Sequence, residues 1–313
     1  MKDARAAEQR GLSMSLTEHR IAPGGAADGF AGRSAAHVLK STLEWYLEAT
    51  SSMRLMPDFL IIGAQRSGTT SLYRYLAQHS QVVPTLLSKG VHYFDTNHGR
   101  GLAWYRGHFP SVPYRAYARI RRGTTVLTGE GSPYYLFHPH APGRVAQALP
   151  SAKLIVMVRE PASRAYSHYQ HEVSGGFEAL PTFEEAIEAE PARLRGEVER
   201  MMAEPLHVSF AHQHHSYLAR GFYLEQLEAW TSLFAREQIL VLESGRFFSE
   251  PERWYGRTLD FLGLPHQPLR RYRAYNAHAY PPMASTTRAR LRALYREGNE
   301  RLYHFLGEDF GWG

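Results

Sequence analysis

Residues 63–70 read GAQRSGTT: Gly63, four residues, Gly68, then Thr69 and Thr70. That frame suits a loop that wraps an anion. Two glycines permit a tight turn and close backbone approach, and the N–H groups opening a following helix add donors and the positive end of its dipole. Arg66, Ser67, Thr69 and Thr70 supply side-chain donors. A nucleoside-triphosphate loop carries lysine after its second glycine. Here Thr69 holds that place and the nearest cation is Arg66. The plain alternative is an ordinary strand-to-helix turn that contains two glycines.

A second constellation is VREPASRAYSHY, residues 158–169. Arg159 closes an apolar run, and Ser167 lies eight residues on, in a predicted helix. Open α/β sheets bind ligands beyond the carboxyl ends of their strands, so this pair suits a second phosphate; the alternative is Arg159 paired with Glu160 or another acid. SKGVHYFD (88–95) and GEGSPYYL (129–136) bring groups that move or stabilise protons: Lys89, His92, Asp95 and Glu130. An imidazole titrates near neutral pH and can carry protons, although a packed strand histidine is an equal reading for His92. HQHHS (212–216) places His212 and His215 on one helical face, but no carboxylate cluster follows and no metal site is predicted.

These groups need a scaffold. The run Phe59–Ile62 before the loop reads as a strand buried on both faces, as do KLIVMVR (153–159) and QILVLES (238–244), with a shorter strand in TTVLTGE (124–130). Helical patterns alternate with them: 35–49, SLYRYLAQH after the loop, the segment after Arg159, YLEQLEAWTSLFARE, and a long amphipathic helix over 286–306. The charge-rich stretch 186–205 reads as a solvated helical flap. Alternation of this kind predicts an α/β fold in three layers, a P-loop-like central parallel sheet flanked by helices. Residues 1–33, rich in Ala, Gly and Arg, read as a flexible tail before a single domain, 34–313, with its core from about residue 56.

Composition narrows the partners. The 313 residues carry a net charge of +6, and of the 36 basic residues only Lys2, Lys40, Lys89 and Lys153 are lysines. Arginine binds phosphate or sulfate through a fixed fork of donors. The arginines are spread without a cluster, which argues against nucleic acid. There is no cysteine, so disulfides, thiolate metal sites and cysteine nucleophiles are excluded. No apolar run is long enough for stable membrane insertion and the N-terminus lacks a signal core, so a cytoplasmic protein is expected.

With the two anion motifs, VHYFD, LAWYRGHFP, GEGSPYYL and the final LGEDFGW, the chain over about 56–313 resembles the sulfotransferases that use 3′-phosphoadenosine 5′-phosphosulfate, nearest their heparan-sulfate-type and bacterial branch. The resemblance implies that Gly63, Arg66, Ser67, Gly68, Thr69 and Thr70 hold the 5′-phosphosulfate and Arg159 and Ser167 the 3′-phosphate. It implies further that Tyr223 contacts the adenine and that Asn276 and His278, in YNAHAYPPM, lie in a loop over the nucleotide. Arg66 stands where many relatives carry lysine, which assigns it to the leaving group. Relatives carry a glutamate base at the position of Gly90 and often a lysine at that of Gly131. Both are missing here, which leaves His92 as replacement base with Asp95 and Glu130 behind it, and Lys89 as a cation bridging the sulfate or the leaving oxygen. The implied reaction moves a sulfuryl group to a hydroxyl, less readily an amine, of a small-molecule or glycan acceptor, with no metal required. A P-loop nucleotide kinase and a catalytically idle nucleotide-binding relative are the alternatives.

Overall fold

The structure is a computed structural model that describes residues 41–275 and 280–312. The expected tail over 1–33, and Asn276 and His278, lie outside the described residues. Lys40–Gly313 form one compact unit.

Five strands make one parallel sheet: β1 (Phe59–Gly63), β2 (Val82–Val83), β3 (Leu127–Glu130), β4 (Lys153–Val158) and β5 (Ile239–Glu243), in the order β2-β3-β1-β4-β5. Alternate residues of β1 serve two cores. Leu60 and Ile62 pack with Leu154, Val156 and Val241 on one face, and Phe59 and Ile61 pack with Ile155, Met157 and Leu242 on the other. All four of these β1 side chains are fully buried, each contributing about 1.5–3 kcal/mol relative to an exposed position. Continuous apolar runs therefore mark strands covered on both faces by helices, as the sequence indicated.

The helices that matter below are α1 (Thr69–Leu76), α2 (Val112–Arg122), α3 (Pro161–Gly175), α4 (Tyr223–Thr231) and α5 (Ser285–Leu306). In α5, Thr287, Leu291, Tyr295, Asn299 and Leu302 form one buried face. Its Arg288 and Arg292 approach Glu160 at 3.6 and 3.7 Å, so α5 braces the turn after β4. From β1 the chain runs to β2 and β3 on one side of the sheet and crosses to β4 on the other. The strand order thus reverses beside β1, and the crevice opens over the carboxyl ends of β1 and β4.

Two expectations are corrected. The strand in 124–130 is shorter, and the two-residue β2 was too short to stand out. The flap over 186–205 is two helices, Phe183–Leu194 and Glu197–Ala203, broken where Gly196 adopts φ 77°. Nor is it fully solvated: Glu190 is buried and accepts the N–H groups of Leu218 and Ala219 at 2.6 and 2.8 Å. A carboxylate with two backbone donors is a docked element, since an unpaired buried charge is too costly to hold.

Candidate active site

The loop after β1 has the shape its glycines permit. A Cβ on Gly63 would lie 2.4 Å from Leu136 Cβ, and one on Gly68 would lie 2.9 Å from the Phe248 ring with φ at +96°. Close packing at the first and close packing plus a left-handed backbone at the second both require glycine. Arg66 takes φ 70°, a conformation that non-glycine residues hold mostly where their surroundings fix it.

What fixes Arg66 is the second motif. Its Nε donates to Ser167 Oγ at 3.2 Å, and Arg159 Nη1 donates to the Arg66 carbonyl at 3.3 Å. Two segments about a hundred residues apart in sequence are thereby stitched together over the crevice. Lys89 enters from the opposite side: its Nζ donates to Thr69 Oγ1 at 3.3 Å and Thr70 Oγ1 at 3.1 Å. An amine from elsewhere in the chain thus lies against positions 69 and 70.

Two features test whether these residues fit a phosphorylated nucleotide. No side chain caps the start of α1, so the first N–H groups of that helix have no intrahelical partner. The Ser67 hydroxyl is fully buried beside the Tyr223 hydroxyl, but that group already donates to Arg159, and Ser67 makes no hydrogen bond of normal geometry. An orphaned hydroxyl among uncapped amides and three cations suits an anion with several oxygens.

Tyr223 opens α4 with its ring 2% exposed, and its hydroxyl donates to the Arg159 carbonyl at 2.8 Å. Its hydroxyl is therefore a prop for the strand end. Sequence reasoning missed a second prop. Arg220 is buried, sits 4.6 Å from the Tyr134 ring centre, and donates to Gln65 Oε1, Ser216 Oγ, and the carbonyls of His212 and Gln213. Burial lowers it to about 10, and these acceptors keep it charged. Its sequence signal was only the Arg-Gly pair before Tyr223.

The 91–95 segment is organised by Glu130. It is fully buried and accepts four donors: Val91 N–H at 2.7 Å, Ser132 Oγ at 2.6 Å, Tyr135 OH at 2.8 Å and Tyr105 OH at 3.0 Å. Burial raises its pKa, against the pull of these hydrogen bonds. Both of its oxygens are occupied by these donors, and none of its hydrogen bonds is to Arg66. Through Ser132, whose Oγ also accepts the His92 N–H at 3.0 Å, it fixes the 91–94 segment.

His92 sits at the end of that chain with φ 55°. Its Nδ1 lies 2.8 Å from Asp95 Oδ2, and its side chain is 39% exposed while that of Asp95 is fully buried. With Nδ1–H given to Asp95, Nε2 carries the lone pair. Burial favours the neutral ring, but the Asp95 carboxylate outweighs it and holds His92 above its ordinary pKa. Burial would likewise raise Asp95, but His92 and the Thr96 N–H hold it low. A Cβ on Gly90 would fall 3.2 Å from His92 Nε2 and 2.8 Å from the Gly131 carbonyl. The imidazole therefore borders the space that a side chain at position 90 would enter. Likewise a Cβ on Gly131 would lie 3.2 Å from Lys89 Cε, so the lysine stem crosses the second missing position.

The HQHHS histidines are packed into the fold. His212 Nδ1 lies 2.6 Å from the Tyr134 hydroxyl, His214 Nδ1 lies 2.8 Å from Glu172, and His215 Nε2 lies 3.0 Å from the Phe177 carbonyl. Among the described residues no group of His, Asp or Glu has the arrangement of a metal site. No helix among them is long and apolar enough to cross a membrane.

Comparison with known proteins shows the family. The model of the sulfotransferase domain matches residues 56–293. The mouse heparan sulfate glucosamine 3-O-sulfotransferase 6 is 29% identical over 283 residues, covering 83% of this chain and 74% of the relative. The human bifunctional heparan sulfate N-deacetylase/N-sulfotransferase 3 is 30% identical over 300 residues, covering 84% of this chain and 31% of the relative. Among solved structures, a sulfotransferase from Alicyclobacillus acidocaldarius superposes with a TM-score of 0.61 at 28% identity, covering 82% of this chain and 99% of its own.

Proposed function

We propose, from the fact that this chain belongs to the sulfotransferase domain family, that it carries a sulfuryl group from 3′-phosphoadenosine 5′-phosphosulfate to a hydroxyl of a carbohydrate, glycolipid or secondary metabolite. The observation that carries the residue assignment is the junction of Arg66 with Ser167 and of Arg159 with the Arg66 carbonyl. One ligand with two phosphate groups accounts for both motifs meeting at one crevice. When bound, the donor supplies an electrophilic sulfuryl group on a phosphate leaving group.

The chain's own residues do the rest. The amides opening α1, with Ser67, Thr69 and Thr70, hold the 5′ end, and Arg159 with Ser167 holds the 3′-phosphate. Arg66 and Lys89 set two cations at the loop, where negative charge collects as the bond to sulfur breaks. His92 Nε2 takes the acceptor proton, and Asp95 holds the tautomer and stabilises the imidazolium that forms. Tyr223, Arg220 and Glu130 position these groups. The relatives' names include both hydroxyl and amine sulfation. A neutral imidazole suits a hydroxyl, whose proton must be removed. The nucleotide kinase alternative is not favoured, because the sulfotransferase match spans the loop and the strand-end motif together.

Thermal unfolding with 3′-phosphoadenosine 5′-phosphate, against ATP with Mg²⁺, tests donor recognition. A ligand at a hundredfold its dissociation constant adds about 2.7 kcal/mol of apparent stability. Stabilisation by ATP–Mg²⁺ and not by the bisphosphate would sink the reading. Labelled-sulfate transfer to glycans, glycolipids and phenolic metabolites then separates an enzyme from an idle relative.

A further inference from the structure

Helix α2, VPYRAYARIRR, breaks the usual rule for a surface helix. At about 100° per residue, Val112, Pro113, Ala116, Tyr117 and Ile120 share one half of it. Ala118, its buried residue, lies on the opposite side. The apolar half thus faces outward: Ile120 is 82% exposed, Tyr117 57% and Val112 45%. Arg119 and Arg121 flank this stripe, both exposed and neither in an ion pair among the described residues, whereas Arg115 is tied back to Asp58. The helix contains no acidic residue. It precedes β3, and its Arg115 anchors beside the start of β1, so it lies at the end of the sheet away from the crevice.

We propose that α2 is the docking face for an anionic lipid bilayer. It lies in the plane of the interface with Ile120, Tyr117 and Val112 among the upper acyl chains and Arg119 and Arg121 on headgroup phosphates. An outward apolar stripe bordered by arginines is the pattern of an interfacial helix, and an exposed apolar face of this extent calls for a partner. Charge selects the partner. A second copy of a chain with net charge +6 would set arginines against arginines, while an anionic bilayer offers phosphates along the whole helix. Attachment at this end leaves the crevice facing away from the membrane, open to donor and acceptor.

The test is co-sedimentation of the full chain with vesicles of phosphatidylcholine alone or mixed with phosphatidylglycerol. Binding is expected to the anionic vesicles only and to weaken with salt. The double variant Tyr117→Ser/Ile120→Ser should lower partitioning by roughly tenfold or more, given the transfer free energy of such side chains. Arg119→Glu/Arg121→Glu should abolish the preference for anionic lipid. Both should keep the parent's unfolding temperature, because these side chains are exposed. No binding to anionic vesicles would overturn the proposal, as would binding that ignores both variants. Retention on heparin without vesicle binding, or a dimer that the serine variant dissolves, would assign the face to a polyanion or a second copy instead.

Discussion

The donor half of the crevice and its acceptor half are held in different ways. The donor loop is set by backbone: Gly63 and Gly68 fit where no side chain could, and α1 presents its uncapped amides. The proposed acceptor segment is set by side chains, through four donors converging on the buried Glu130, one of which, Ser132, also accepts the His92 N–H. A backbone-built site depends on packing and tolerates changes to the side chains around it. A site hung from one buried carboxylate depends on that group. The donor half should therefore lose affinity in small steps, and the acceptor half should fail as a unit.

Glu130→Ala should have the largest effect. It leaves four donors without a partner at about 1–3 kcal/mol each, so a loss on the order of 5 kcal/mol is expected in denaturant unfolding. Should this variant not fold, Glu130→Gln keeps the shape and should fold while losing turnover. A loss under about 1 kcal/mol for the alanine variant would show that the acceptor segment does not hang from this carboxylate.

His92→Ala should cost roughly a thousandfold in kcat, about 4 kcal/mol of barrier. The thermal response to 3′-phosphoadenosine 5′-phosphate should be retained. Full turnover by this variant would remove His92 as the base, and a lost nucleotide response would show that the two halves are not separable.

Asp95→Asn should lower kcat by about ten- to a hundredfold and move the acid limb of the pH–rate profile. Activity needs neutral His92, so in the parent it rises as pH passes upward through a pKa that Asp95 has raised. Removing the carboxylate should shift that limb to lower pH; an unmoved limb would mean that another group titrates. The linked stability has the opposite sense. His92 gains its charged partner in the folded state, so its contribution is full below the unfolded value and fades as pH rises through the folded one.

Ser167→Ala should have the smallest effect. Loss of one hydrogen bond from Arg66, and of one phosphate donor, should weaken nucleotide binding about tenfold, or roughly 1.4 kcal/mol, with kcat nearly unchanged. Calorimetric titration measures it. A collapse in kcat instead would mean that Ser167 aligns the reacting atoms through Arg66.

Legibility in the sequence followed distance along the chain. The strands β1, β4 and β5 were readable because burial on both faces leaves an unbroken apolar run. The two loop motifs stood out because in each the strand, loop and helix are consecutive in the chain. Lys89 over Thr69 and Thr70, Val91 on Glu130, and Arg220 on Gln65 were not, since these pairs are 19 to 155 residues apart and only the finished fold brings them together. The docked role of Glu190 was hidden for the same reason: its partners at 218 and 219 belong to another element. Helix α2 went unread because its apolar half faces outward, and apolar periodicity ordinarily marks the side turned to a core.

The facing glycines at 90 and 131 carry a consequence for how this chain can change. A glutamate at position 90 would bring its Cβ to 2.8 Å from the Gly131 carbonyl and 3.2 Å from His92 Nε2. A side chain at position 90 and the ring at 92 compete for one space, so Gly90→Glu is not accommodated by the surroundings as they stand. The backbone at 131 and the ring at 92 would have to yield first.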